Sequence, residues 1–228
     1  AFPLVFTPVV LEAHQGDCGY KEPDWLTAAR NNPEATAAMK AQGRALESYA
    51  NPEEVKYVKL LDGGITDNFG TTGLAVERAR AQAPYAPMTP EEAVRMKRML
   101  FLVANAGVES DYGWTQKIPG PGGVGLGMSI ATASMSAATR SGYDAMRGEL
   151  RQWESELIEW RCALPPGEVR RLRGTLDGWD CSDLKLFIGQ ASFEGVPAAM
   201  RKELNKVPTR LKLKTDQVDL VIEAGRLA

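Results

Sequence analysis

Histidine is almost missing from this chain: His14 is the single one in 228 residues. That leaves little for a histidine-based metal site or for a serine-histidine-aspartate relay, and His14 sits in the polar stretch HQGDCGYKEPD (14–24), which reads as a loop and makes it a bystander. Cysteine is scarce too. Cys18, Cys162 and Cys181 form no Cys-x-x-Cys pair, so no zinc ribbon, redox motif or other metal or cofactor site is expected. Net charge is nearly absent: 27 Lys and Arg against 29 Asp and Glu give -2, no basis for binding nucleic acid or anionic membranes. No apolar run approaches the roughly 20 residues of a spanning helix, so no transmembrane segment is expected. A basic leader with an apolar core is lacking as well, as are internal repeats and low-complexity segments.

What is present is the composition of a globular protein, 44% apolar and 25% charged. The opening run AFPLVFTPVVL, with Pro3 and Pro8, reads as a buried core segment and implies that an N-terminal part of the same fold precedes it. Residues 25–50 are alanine-rich with mixed charges and predict one or two surface helices, stopped by Asn51-Pro52. Tyr57 to Leu61 (YVKLL) predicts a short buried strand, and helical spacing resumes from Leu74 to Ala83. Thr89-Pro90-Glu91-Glu92 predicts a capped helix start, and Met99 to Asn105 (MLFLVAN) a second buried strand. Strand, helix and strand in this order predict a parallel α/β unit. Residues 118–127 (IPGPGGVGLG) read as a glycine-rich loop. It lacks the Gly-Lys-Ser/Thr ending of a phosphate cradle, and no strand leads into it. Beyond it, Met146, Leu150, Trp153, Leu157 and Trp160 mark one apolar face of a long helix. A strand is predicted at Leu184 to Phe193 and a final helix from Thr215, ending at Gly225. Cys162 and Cys181 flank a stretch rich in proline and glycine, the setting either of a disulfide staple or of two free thiols.

The sharpest motif is LLDGGITDNFG, residues 60–70. An aspartate just past the C-terminal end of a parallel strand stands where α/β folds place catalytic groups. Gly63 and Gly64 would let the backbone take positive φ and bring other segments close to the Asp62 carboxylate, while Asn68 and Gly70 turn the chain into a helix. A tight Asp-Gly turn with a merely capping aspartate has the same appearance.

The segment YVKLLDGGITDNFG closely resembles the Asp-Gly-Gly motif of bacterial patatin-like phospholipases. AFP and FTP near the start, Gly16-Asp17-Cys18-Gly19-Tyr20 with Trp25, Leu204-Asn205-Lys206-Val207-Pro208-Thr209, Val218-Asp219 and Ala224-Gly225-Arg226 resemble the same family in the same order. Residues 110–195 match only loosely. The resemblance implies an α/β fold, a three-layer sandwich around a mostly parallel central sheet, of which residues 1–228 are the C-terminal portion of one catalytic domain. It implies a serine-dependent lipid acyl hydrolase acting on phospholipids or other carboxylic esters, with Asp62 as general base of a Ser-Asp dyad and no cofactor. The family's Gly-x-Ser-x-Gly elbow is absent. Its nearest match, Gly127-Met128-Ser129-Ile130-Ala131, lacks the last glycine and follows Asp62 rather than preceding it, so Ser129 reads as structural. The serine and oxyanion loop are therefore expected from the N-terminal half of the protein. The alternative is a non-catalytic lipid- or partner-binding module on the same fold. Because the bacterial branch is largely exported, to the periplasm, the outer membrane or the medium, a Cys162–Cys181 disulfide is predicted, with Cys18 unpaired within the chain.

Overall fold

The computed structural model describes residues 9–13, 19, 21–61, 63, 67–107, 113–116, 118–208 and 212–227. In chain order its elements are β1 (Val9–Glu12), α1 (Asp24–Asn31), α2 (Ala37–Ala50), β2 (Tyr57–Leu60), α3 (Thr72–Ala79), α4 (Pro90–Arg95), β3 (Arg98–Asn105), α5 (Gly123–Ala163), α6 (Pro166–Arg173), β4 (Lys185–Ser192), α7 (Ala198–Leu204) and α8 (Thr215–Leu227). The fold is mixed α/β, with two small sheets among the described residues: β1–β2 antiparallel and β3–β4 parallel.

The parallel pair organises the core. β3 and β4 run in register from Arg98 opposite Lys185 to Asn105 opposite Ser192. Parallel strands need a long crossover, and α5 supplies it. Met146, Leu150, Trp153, Leu157 and Arg161 recur every three or four residues, so they share one helix face, and all five are buried. Four of them meet Ala93, Leu184 and the inner side chains of the sheet, Met99, Phe101, Leu186 and Ile188. Each large apolar side chain so buried stabilises the fold by about 1.5–3 kcal/mol. Trp160, placed on this face by its spacing, is half-buried and packs against this core. It packs on Tyr85 at 4.8 Å between ring centres and on the cluster of Val94, Val169 and Leu172.

Arg161 is 1% exposed, the one charged side chain among the buried ones of the described residues. Its guanidinium donates to the Met96 carbonyl (2.9 Å), the Asp180 carbonyl (3.1 Å) and the Asp183 carboxylate (2.6 Å), and lies 4.8 Å from the centre of the Trp179 ring. The next residue, Cys162, is bonded to Cys181 with 5.0 Å between Cα atoms. The C-terminal end of α5 is thus tied to the strand edges and to the 174–184 turn, and the predicted disulfide is present.

Other local readings hold. Two helices span 24–50, with Asn51 at the end of the second. Thr89 and Glu92 form the reciprocal capping box of α4. Four readings need correction. The glycine-rich stretch is not a loop beyond Gly122: α5 starts at Gly123, because each added residue of an established helix gains a hydrogen bond that offsets the roughly 1 kcal/mol cost of a glycine. α8 does not stop at Gly225 but runs to Leu227, with Glu223 and Arg226 paired across its last turn. The strand at Tyr57 forms, yet it pairs antiparallel with β1, Val9 opposite Leu60, instead of in parallel with β3. Nor are these two strands buried: Val9, Val10, Leu11, Tyr57 and Leu60 are all exposed, since no layer covers the ribbon among the described residues. Residues 1–8 of the opening run lie outside the described residues.

Candidate functional site

The candidate site begins where β2 ends. Asp62 and Gly64 lie outside the described residues, as do His14 and Cys18. The positions around them are described. Leu61 is exposed, and the Gly63 carbonyl accepts the Asp67 amide at 2.8 Å, closing the turn after the strand. Nothing approaches within 4 Å of a Cβ built on Gly63, so among the described residues this glycine is not required for a close contact. Gly70, read as turning the chain into the helix, has left-handed backbone, φ 68°.

Asp67 is the residue that the sequence reading passed over. Its carboxylate accepts from the Thr71 amide (2.9 Å), the Thr71 hydroxyl (3.2 Å) and the Thr72 amide (2.7 Å), and so holds the free amides at the start of α3. Burial pushes the Asp67 carboxyl upward, but the bonds from Thr72 and Thr71 outweigh it and keep its pKa below the ordinary value. Asp67 is therefore a fixed anion and a poor proton acceptor. An aspartate four residues ahead of paired threonines at a helix start was the signal available for it.

The turn is seated on α5. Phe69 meets Tyr143 edge-on, 6.4 Å between ring centres and 73° between planes. Next to it, a Cβ built on Gly142 would stand 3.7 Å from the Thr71 hydroxyl. Phe69 and Thr71 are thereby set against the middle of the long helix. Ser129, one candidate for a misplaced elbow, is in α5 with its hydroxyl donated to the Gly125 carbonyl at 3.0 Å, a bond internal to the helix.

A second feature lies nearby. A cleft of about 530 Å³ runs between the start of α2, α3, the 81–84 turn and α5, lined in part by Thr36, Arg78, Pro84, Glu149, Trp153 and Glu156. Its polar groups are mostly committed to structure. Arg78 donates to the Pro84 and Ala86 carbonyls and to Glu156 (2.7 Å), and lies 4.8 Å from the Trp153 ring centre. Trp153 donates to the Pro84 carbonyl at 2.8 Å, and the Thr36 hydroxyl accepts from the Met39 amide as the cap of α2. Partial burial raises the pKa of Glu149, against the attraction of Arg78. No serine, cysteine or histidine is among the residues lining the cleft. The hydroxyl in the described lining, that of Thr36, is committed to capping α2.

The described residues thus place Gly63, the capping aspartate Asp67 and the contact of Phe69 with α5, and they hold no group of three or more His, Cys, Asp or Glu able to bind a metal. No protein-family model matches the chain, and no curated protein or solved structure matches it.

Proposed function

We propose that this chain is part of a serine-dependent lipid acyl hydrolase and that Asp62 is the general base. The observation that carries the reading is the motif YVKLLDGGITDNFG itself, set in a strand that ends at Leu60, a turn closed by Asp67 and Gly70, and a helix that starts at Thr72. In this scheme a serine hydroxyl attacks a carboxylic ester, Asp62 takes its proton, backbone amides hold the oxyanion, and water then releases the fatty acid. Asp62 follows the strand end at Leu60 by two residues in sequence, and no described residue stands within 4 Å of a Cβ built on Gly63. Asp67 being held as an anion by its own turn leaves Asp62 as the carboxylate of this motif available for proton transfer. The serine, in its Gly-x-Ser-x-Gly elbow, and the oxyanion loop come from a further segment of the same protein.

The finer architecture belongs to the same proposal: a three-layer sandwich whose central, mostly parallel sheet includes β3 and β4. Its support is the face of that sheet turned away from α5, where Leu100, Leu102 and Phe187 are exposed. Alternate residues of both strands are apolar on both faces, the pattern of strands covered on two sides. The Cys162–Cys181 disulfide supports export to an oxidising compartment. The experiment is ester hydrolysis by the protein that contains both the serine elbow and this chain, with Asp62→Asn as the variant. A folded variant that has lost turnover supports the reading. A protein that binds lipid and never turns over esters points to the binding-module alternative.

A further inference from the structure

Asp67 ties the turn after β2 in both chain directions. Toward the N-terminus its amide donates to the Gly63 carbonyl at 2.8 Å, and Gly63 is the neighbour of Asp62 in sequence. Toward the C-terminus its carbonyl accepts the Gly70 amide at 3.2 Å, and both oxygens of its carboxylate are taken. One accepts the Thr71 amide (2.9 Å) and hydroxyl (3.2 Å), the other the Thr72 amide (2.7 Å). Thr36 and Thr89, which cap α2 and α4, accept only from amides of the helices they start. Asp67 caps α3 and also reaches back to the strand end.

Such a link matters most at a glycine. Gly63 has no side chain to pack and a wide choice of backbone angles, so a bond to its carbonyl is a restraint on a peptide plane that is otherwise free to turn. The other end of the link is anchored. Phe69 meets the Tyr143 ring of α5, and the Thr71 hydroxyl lies 3.7 Å from a Cβ built on Gly142 of the same helix. Asp67 thus joins the residue beside Asp62 to a segment that rests on α5. Its own oxygens are filled by amide and hydroxyl donors, which favour the charged form and leave it unsuited to taking a proton.

We propose that Asp67 is a positioning residue for ester hydrolysis: by clamping Gly63 to the start of α3 it fixes the backbone from which Asp62 reaches the serine. The inference rests on the reading of Asp62 as general base. A reacting group misplaced by about 1 Å can cost on the order of 100-fold in rate, so the clamp acts on turnover rather than on binding. The test is steady-state hydrolysis of p-nitrophenyl butyrate by the protein that contains both the serine elbow and this chain. Asp67→Ala removes the acceptors for Thr71 and Thr72, so kcat should fall by about tenfold or more while KM stays within about twofold. Asp67→Asn keeps one acceptor oxygen and sets a donor against the other amide, so its kcat should lie between those of Asp67→Ala and the parent. It also carries the comparison if Asp67→Ala does not fold. Thr89→Ala, which removes the cap of α4, should lower the urea midpoint by a similar amount and leave kcat unchanged. The acid limb of the pH–rate profile should persist in Asp67→Asn, because the titrating base is Asp62. Folded Asp67 variants that turn over at the parent rate would leave Asp67 a helix cap and overturn this proposal alone. So would a loss confined to KM, or an equal loss of kcat in Thr89→Ala. Disappearance of the acid limb in Asp67→Asn would make Asp67 the base and overturn the assignment of Asp62 as well. A parent protein that hydrolyses no ester overturns the hydrolase reading, and the positioning role with it.

Discussion

Replacing Arg161 by methionine tests whether the polar knot at the end of α5 holds the fold. The substitution keeps most of the buried stem and removes the guanidinium. Three hydrogen bonds go: the one to the Asp183 carboxylate and those to the Met96 and Asp180 carbonyls. A charge-assisted bond contributes about 1.5–3 kcal/mol and each neutral one about 1 kcal/mol. Two effects reduce the sum. Asp183 keeps its ion pair with Lys97 at 2.8 Å, and the carbonyls, at the edge of the sheet and in the 174–184 turn, can recruit water. A net loss of about 3 kcal/mol remains, within the range for breaking a buried ion pair from one side. For a chain of this length that corresponds to roughly 6–12 °C in Tm. Urea unfolding followed by tryptophan fluorescence, with the disulfide intact, measures it. Arg161→Met with Asp183→Leu should recover part of the loss, because an apolar pair leaves no unpaired charge. A single variant within about 0.5 kcal/mol of the parent would refute the argument, since the bonds would then contribute nothing net.

Three further outcomes follow from the same structure. Cys162→Ser with Cys181→Ser opens a loop of 19 residues and should lower stability by about 3 kcal/mol, read as the shift in urea midpoint against the oxidised parent. Asp67→Ala removes the acceptor for the Thr71 and Thr72 amides and should cost about 1 kcal/mol, and amide exchange in the first turn of α3 should quicken selectively. Burial pushes Asp183 upward, but Lys97 and Arg161 outweigh it and hold its pKa below the ordinary value. A depressed folded pKa gives stability that is present above the unfolded value, about 4, and is lost as pH falls through the folded one. Unfolding measured from pH 6 downward should therefore show an acid loss that Asp183→Asn flattens, and an unchanged slope would remove Asp183 from the account.

Where residues meet partners close in sequence or on the same helix face, the sequence was a sufficient guide. Met146, Leu150, Trp153 and Leu157 carry the helical period, and Thr89 with Glu92 is a cap that needs no tertiary context. Arg161 was invisible, because nothing in a spacing pattern says that a guanidinium will be buried against two carbonyls and an aspartate from other segments. Apolar strands were read as buried, yet burial depends on what lies above a strand, and β1 and β2 cover neither of each other's faces. Gly122 to Gly127 were read as loop from their propensity, which the cooperative growth of a 41-residue helix overrides. At the candidate site, the turn residue Gly70 was legible, and Asp67 was hidden beside the more conspicuous Asp62.

The central claim rests on Asp62, and the measurement that reaches it most directly is single-turnover hydrolysis of a lipid ester by the protein containing the serine elbow, parent against Asp62→Asn. Asparagine keeps the shape of the side chain and removes its basicity. The account predicts an unchanged unfolding midpoint and a turnover rate lower by roughly three or more orders of magnitude, as in other disrupted serine-base pairs. A folded Asp62→Asn protein that hydrolyses the ester at the parent rate would contradict the claim and leave the motif a structural turn.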